Sequence, residues 1–195
     1  AAIDDNGVRT ITFSKPLDHP DLLAAQHVPL PPYIAQNDEL AREYQTLYAK
    51  DAGSKAAPTA GLHFTDELIK KVKEEREWAE LTLHVGLGTF ASLTEENFQT
   101  GTLHHEQYEL EQSVFEGLKK SEHVTAVGTT SVRALETVFS KADPSLNGST
   151  NIFIQPGYTF ERVNSLITNF HLPGTSLLLL VAAFMGSEDE LMTIY

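Results

Sequence analysis

The sequence predicts a layered α/β domain with a mostly parallel sheet. Two observations carry this. Apolar runs of strand length are each followed by a polar or glycine-bearing loop and then by a stretch of helical periodicity, and the order repeats along the chain. Three of those strand ends, at Gly86–Phe90, Gly128–Ser131 and Asn169–Ser176, carry the turns to which ligands gravitate in such sheets. The length of 195 residues, with 41% hydrophobic and 21% charged residues, suits a soluble domain of ordinary size.

Taken in order, Asn6-Gly7 signals a turn, and Val8–Phe13 alternates apolar and polar residues as a half-buried strand does. Leu22–Gln26 gives one helical turn or two. Pro29, Pro31 and Pro32 force an extended junction, because each proline restricts the residue before it. Asp38–Ala49 predicts a helix with Leu40, Tyr44 and Leu47 on one face. Asp66–Trp78 predicts another, N-capped by Thr65, with Leu68, Ile69 and Val72 turned inward. Leu81–Phe90 has a period of two, with Leu81, Leu83, Val85 and Leu87 opposite Thr82, His84, Gly86 and Gly88. Leu103–Leu110 is a second, polar extended piece. Val114–Lys120 is helical, Val124–Val127 is a short buried strand, and Val132–Ser140 is a helix with Leu135, Val138 and Phe139 at core spacing. Asp143–Thr150 reads as a loop, Ile152–Ile154 and Leu166–Phe170 as strands, and Leu177–Met185 as a buried helix stopped by Gly186.

The stretch Ala56–Thr65 is the chemical centre of the chain. Pro58 and Gly61 exclude a regular helix or a central strand, so it is a shaped loop presenting His63. A buried connection whose histidine donates to a carbonyl is the competing reading. The loop Gly128-Thr129-Thr130-Ser131 offers backbone N–H groups and hydroxyls at the positive end of a helix, suited to a carboxylate, a phosphate or ribose hydroxyls; ordinary capping by Thr130 or Ser131 explains it as well. It is neither a Walker loop nor a dinucleotide fingerprint. His63, His84, His104 and His171 lie on or beside turns, and imidazole is the natural proton carrier near neutral pH. Their spacing matches no compact metal motif, although a zinc site assembled from distant segments, and with it a hydrolase, stays open as a minor alternative. His104, Glu106 and Tyr108 share one face of an extended piece. That face is either a proton-relay or base-stacking surface or a satisfied surface strand.

The charge of −13, from 14 basic and 27 acidic residues, argues against nonspecific binding of nucleic acid over the whole surface. Lys70, Lys71, Lys73 and Arg76 form a local basic cluster that a solvated helix face explains more simply. With no cysteine there is no disulfide framework and no thiolate metal site. No signal peptide opens the chain, and its longest apolar run is shorter than the ~20 residues of a membrane span. The expectation is a cytoplasmic protein, and the abrupt ends suggest a fragment.

Seven segments, in order, carry a resemblance: L-P-P-Y-I at 30–34, Y-Q-T-x-Y-A at 44–49, G-S-x-A-A-P-T-A-G-L-H-F-T at 53–65, T-L-H-V-G-L-G-T-F at 82–90, V-G-T-T-S-V-R-x-L-E at 127–136, P-G-Y-x-F at 156–160 and L-I-T-N-F-H-L-P at 166–173. Together they resemble the S-adenosylmethionine:tRNA ribosyltransferase-isomerase family of queuosine biosynthesis. The resemblance implies an α/β domain into which a small β-barrel is inserted, with residues 1–28 the tail of that barrel and 29–195 the α/β catalytic domain, incomplete at both ends. It implies transfer and isomerisation of the ribosyl moiety of S-adenosyl-L-methionine onto 7-aminomethyl-7-deazaguanine at the tRNA wobble position, giving epoxyqueuosine, adenine and methionine. S-adenosyl-L-methionine is then the ribosyl donor, no metal is expected, the partner is a tRNA with a GUN anticodon, and the protein is a monomer.

On that comparison His63, His84 and His171 are the catalytic, proton-handling candidates. Thr59, Gly61, Gly86, Gly88, Thr89, Gly128, Thr129, Thr130 and Arg133 are candidates for S-adenosylmethionine, with Arg133 aimed at its carboxylate or at a tRNA phosphate. His104, Glu106, Tyr108, Tyr158 and Asn169 are candidates for the nucleic-acid substrate. The sequence departs from the family pattern at Ala91-Ser92, where Arg-Pro is common, at Thr100-Gly101-Thr102, at Gln107, where Trp is usual, and at Gly174, where a basic residue is usual. Basic and aromatic groups are what RNA engagement uses. The alternative function is therefore a divergent, non-catalytic S-adenosylmethionine- or RNA-binding protein of the same fold.

Overall fold

The computed structural model describes residues 2–3, 9–28, 30, 34–41, 43–51, 53–86 and 92–195. The turn at Asn6-Gly7, the proline cluster at 29–32, and Leu87–Phe90 with Gly88 and Thr89 fall wholly or largely outside those residues. Strand β1 (Ala2–Ile3) pairs antiparallel with β2 (Arg9–Thr10). Helix α1 (Pro20–Leu23) opens at His19, whose Nδ1 accepts from the Asp21 N–H. Helix α2 (Asp66–Glu75) starts at Thr65, whose hydroxyl caps the Leu68 N–H. Strand β3 (Thr82–His84), helix α3 (Glu95–Thr100) and strand β4 (Thr102–Glu109) follow, and Thr94 closes a reciprocal capping box with Asn97. Helix α4 (Gln112–Lys120), strand β5 (Thr125–Val127), helix α5 (Thr129–Phe139), strand β6 (Asn147–Ile152), strand β7 (Ser165–Ile167), helix α6 (Ser176–Met185) and helix α7 (Glu188–Ile194) complete the order.

The fold is mixed α/β, but the sheets correct the expected parallel order. Among the described residues β3, β4 and β6 form one antiparallel sheet, with Leu83 opposite Tyr108 and Tyr108 opposite Gly148. Among the described residues only β5 and β7 run parallel, with Val127 opposite Ile167. An intervening helix does not by itself dictate a parallel crossover: α3 lies between two strands that pair antiparallel.

Helix α5 is the hub. Val132 and Leu135 join Val124, Ala126, Ile154, Val163, Leu180 and Ala183 in one apolar cluster. Ala134 and Val138 join Tyr108 and Leu110 in a second. The helix therefore lies between the parallel pair and the antiparallel sheet and buries residues on nearly every face, Arg133, Glu136 and Thr137 among them.

Tertiary contacts override local propensity elsewhere. The helix expected at 38–49 contracts to a 3-10 turn at Asp38–Ala41, because Thr46 and Tyr48 are drawn against Gly61, where an added Cβ would lie 2.0 Å from the Tyr48 hydroxyl. Leu68 is 40% exposed, so the inward face of α2 is narrower than expected. The loop expected at 143–150 yields its last four residues to β6, where Gly148 accommodates the Tyr108 ring and the Tyr108 hydroxyl donates to the Ser145 carbonyl at 3.0 Å. Helix α6 stops at Gly186 in the left-handed region, φ 88°, as expected.

Candidate functional site

The loop at 53–65 is fastened at both ends. Ser54 Oγ accepts from the Val85 N–H at 3.0 Å, and the Lys55 N–H donates to the Val85 carbonyl at 2.9 Å, tying the loop to the end of β3. Trp78 receives Tyr48 and Phe64 edge-on, at 5.7 and 5.8 Å between ring centres. Between these anchors the 3-10 turn Thr59–His63 buries Ala60 and Gly61 and leaves His63 exposed.

The two ends of that turn meet one side chain from the far end of the sequence. The Asn169 Nδ2 donates to Thr59 Oγ1 at 3.1 Å, and Asn169 Oδ1 lies 2.9 Å from His63 Nε2. Asn169 stands two residues beyond β7. The paired strand β5 runs into Gly128, whose N–H donates to the Ile167 carbonyl at 2.9 Å. Gly128 adopts φ 88°, a conformation that favours glycine, and begins α5 without a side-chain cap; Ser131 Oγ instead donates back to the Val127 carbonyl at 2.9 Å. The capping reading of Thr130 or Ser131 is thereby set aside. Thr129 and Thr130 are buried in the first turn, where helix N–H groups lack helical acceptors. The carboxyl ends of the parallel pair thus carry the Gly128 loop and the Asn169 segment side by side.

His171 is half-buried near the same strand end. Its Nε2 lies 3.4 Å from Thr168 Oγ1, its N–H donates to the Tyr195 hydroxyl at 2.9 Å, and its buried Nδ1 has no partner among the described residues. Burial holds its imidazole below the ordinary histidine value. His84 lies on β3 against Gly53, where an added Cβ would sit 2.6 Å from its Nδ1, a buried atom also without a partner among the described residues. Gly86 follows β3 and is half-buried.

Other expected residues are committed elsewhere. Arg133, expected to meet a ligand carboxylate or phosphate, is 4% exposed and meets Glu106: Nη1 is 2.8 Å from Oε2, while Nε and Nη2 donate to the Ile152 and His104 carbonyls. Burial pulls its guanidinium below the usual arginine value and Glu106 partly restores it. Tyr108 is in the core, so the face shared by Glu106 and Tyr108 is an interior one, although the His104 side chain is exposed. The Tyr158 hydroxyl donates to Glu136 Oε2 at 3.2 Å, and burial beside that carboxylate raises its pKa.

Glu136 escaped the sequence reading as a site of its own. It is 0% exposed and accepts the backbone N–H groups of Glu161, Arg162 and Val163 at 2.7, 3.0 and 2.9 Å. Its signal was present: a carboxylate one residue from Leu135 and two from Val138, on a helix with little exposed face, needs a partner. Among the described residues no group of three or more His, Asp or Glu side chains is arranged to hold a metal ion, and no helix is long and apolar enough to cross a membrane.

A family model described as "Queuosine biosynthesis protein" matches residues 1–195. An S-adenosylmethionine:tRNA ribosyltransferase-isomerase of Thermosipho melanesiensis is 46% identical over 190 residues, covering 94% of this chain and 56% of its own. The protein of the same name from Carboxydothermus hydrogenoformans is 50% identical over 169 residues, covering 84% of this chain and 50% of its own. The crystal structure of an S-adenosylmethionine tRNA ribosyltransferase from Thermotoga maritima superposes with a TM-score of 0.54 at 36% identity, over 69% of this chain and 43% of that one. The chain spans about half the length of the curated relatives it matches.

Proposed function

The chain belongs to the queuosine biosynthesis protein family, and from that premise we propose that the whole protein moves the ribosyl moiety of S-adenosylmethionine onto 7-aminomethyl-7-deazaguanine at the wobble position of a tRNA with a GUN anticodon. Epoxyqueuosine, adenine and methionine are the products. The protein acts as a cytoplasmic monomer without a metal. Residues 1–28 are the tail of an inserted barrel, a reading the antiparallel β1–β2 pair supports, and residues 29–195 belong to the catalytic domain.

The observation that carries the reading is the hydrogen-bonded chain from Thr59 through Asn169 to His63. It joins two segments 106 residues apart beside the carboxyl ends of the parallel strands. A solvent-facing imidazole held by a side-chain amide is equipped to take a proton. The sulfonium acidifies the ribose carbon bonded to it; a base takes that proton, adenine departs with a proton from an acid, the aminomethyl nitrogen of the deazaguanine bonds to the ribosyl unit and gives up a proton, and methionine departs as the epoxide closes. His63 serves as the proton acceptor, with His171 and His84 as further candidates for proton handling. Gly86, Gly88, Thr89 and the Gly128-Thr129-Thr130 loop let backbone approach the nucleoside.

The test is adenine release from S-adenosylmethionine by the full-length protein, with and without tRNA bearing the modified base. His63→Ala lowers release about 10²-fold or more, the usual worth of a positioned base. Near-normal turnover in His63→Ala, His84→Ala and His171→Ala removes the proposal, and absence of adenine release from the wild type favours a non-catalytic binding protein.

A further inference from the structure

Resting on the reading of His63 as the proton acceptor, we propose that Asn169 is a positioning residue: it holds His63 in the Nε2–H tautomer and leaves Nδ1 as the basic nitrogen. A neutral imidazole carries one N–H donor and one bare acceptor, and the partner of one nitrogen decides which is which. The Asn169 amide is polar end from end. Its Nδ2 donates to Thr59 Oγ1, at 3.1 Å, and its oxygen faces His63 Nε2, at 2.9 Å. Two acceptors cannot share a hydrogen bond, so Nε2 carries the hydrogen. Nδ1 is then unprotonated, on an exposed ring that among the described residues makes no other hydrogen bond.

The anchoring is firm on both sides. Thr59 and His63 are the first and last residues of one 3-10 turn, so a single amide spans the turn and fixes the ring plane. Asn169 in turn follows a strand paired residue by residue with β5. When a proton arrives at Nδ1 the ring becomes imidazolium, and its Nε2–H keeps its bond to the neutral Asn169 oxygen. The amide accepts no proton, so the charge stays on His63 until an acid–base step discharges it.

The test uses full-length protein labelled with 15N, and reads the two ring nitrogens of His63 by long-range 1H–15N correlation. In the wild type Nε2 shows the protonated and Nδ1 the bare-nitrogen shift. Asn169→Leu abolishes that preference and gives averaged shifts. Asn169→Asp keeps it, since a carboxylate accepts from both His63 Nε2–H and the Thr59 hydroxyl. In adenine release, Asn169→Leu lowers kcat about 10²-fold, the effect of misplacing a reacting group, with KM for S-adenosylmethionine and tRNA changed less than about threefold, and Asn169→Asp recovers most of the loss. A wild-type ring protonated at Nδ1, or the same tautomer in Asn169→Leu, overturns the proposal, as does a KM that rises in both variants while kcat holds. Thr59→Val supplies a second perturbation should Asn169→Leu not fold: it frees the amide to turn and weakens the tautomer preference. Full activity in His63→Ala with the Nε2–H tautomer intact in the wild type overturns the functional reading alone, so the two failures are distinguishable.

Discussion

Replacing Glu136 by Gln exchanges one oxygen for an NH2 group in a site with no exposure, and the structure sets the cost. Oε1 accepts from the Arg162 and Val163 N–H groups, at 3.0 and 2.9 Å, and Oε2 from the Glu161 N–H and the Tyr158 hydroxyl, at 2.7 and 3.2 Å. A glutamine keeps its one oxygen where two backbone donors converge, so its NH2 faces the Glu161 N–H. The Tyr158 hydroxyl can rotate to accept; the backbone N–H cannot. One hydrogen bond to a charged acceptor is lost, and a buried donor is left unpaired, together about 3 kcal/mol. At about 1.4 kcal/mol per factor of ten, hydrogen exchange at the amides of residues 161–163 accelerates about 10²-fold, while exchange in β4 accelerates only as far as global stability falls. Exchange read residue by residue in full-length Glu136→Gln measures this. A change below about threefold at those three amides refutes the view that the carboxylate is the clamp holding the segment that leads into β7 and on to Asn169.

Three further outcomes follow from the geometry. Gly61→Ala drives a methyl group into the Tyr48 hydroxyl and Thr46; it lowers stability by about 1–3 kcal/mol in urea unfolding, and lowers adenine release because the turn carrying His63 shifts. Leu180→Ala, at a residue 1% exposed in the cluster beneath β5, costs about 2–5 kcal/mol by the same assay. Burial lowers the His171 pKa from its ordinary 6.5, so the unfolded chain binds the extra proton first; this contribution is complete above pH 6.5 and is lost as pH falls through the folded value. His171→Asn therefore flattens the urea midpoint over the acid side of pH 6.5, and an unchanged slope there contradicts the assignment.

Residue type and period revealed what depends on local order. Helices α4 and α5 were legible because their packed apolar residues recur at helical spacing, α6 because it is apolar throughout, and β4 because its polar alternation survives intact. Strand pairing was not, since the direction of a return connection depends on contacts far along the chain. The helix expected at 38–49 was lost for the same reason: Tyr48 gains more from Gly61 and Trp78 than the segment gains from helical hydrogen bonds. In the site, His63 was singled out by loop chemistry and Thr59 and Asn169 through the family resemblance, yet the three were assigned separate roles. Nothing in a single sequence says that one amide joins the other two.

Arg133 is where chemistry inferred from residue type parts from chemistry inferred from placement. Five residues beyond Gly128, in the opening turns of a helix, an arginine invites a ligand carboxylate. Three of its five N–H groups are instead engaged, by Glu106 Oε2 at 2.8 Å and by the Ile152 and His104 carbonyls at 3.2 and 3.3 Å. A ligand would have to break a buried ion pair, a loss of about 3–5 kcal/mol that its own carboxylate must first offset. The pair therefore braces β4 against α5. Glu106→Gln keeps an acceptor in place but leaves the buried guanidinium charge uncompensated, and it lowers stability by about 3 kcal/mol with KM for S-adenosylmethionine unchanged within about twofold. If stability holds while that KM rises tenfold, the ion pair opens to the substrate and Arg133 belongs to the binding site after all.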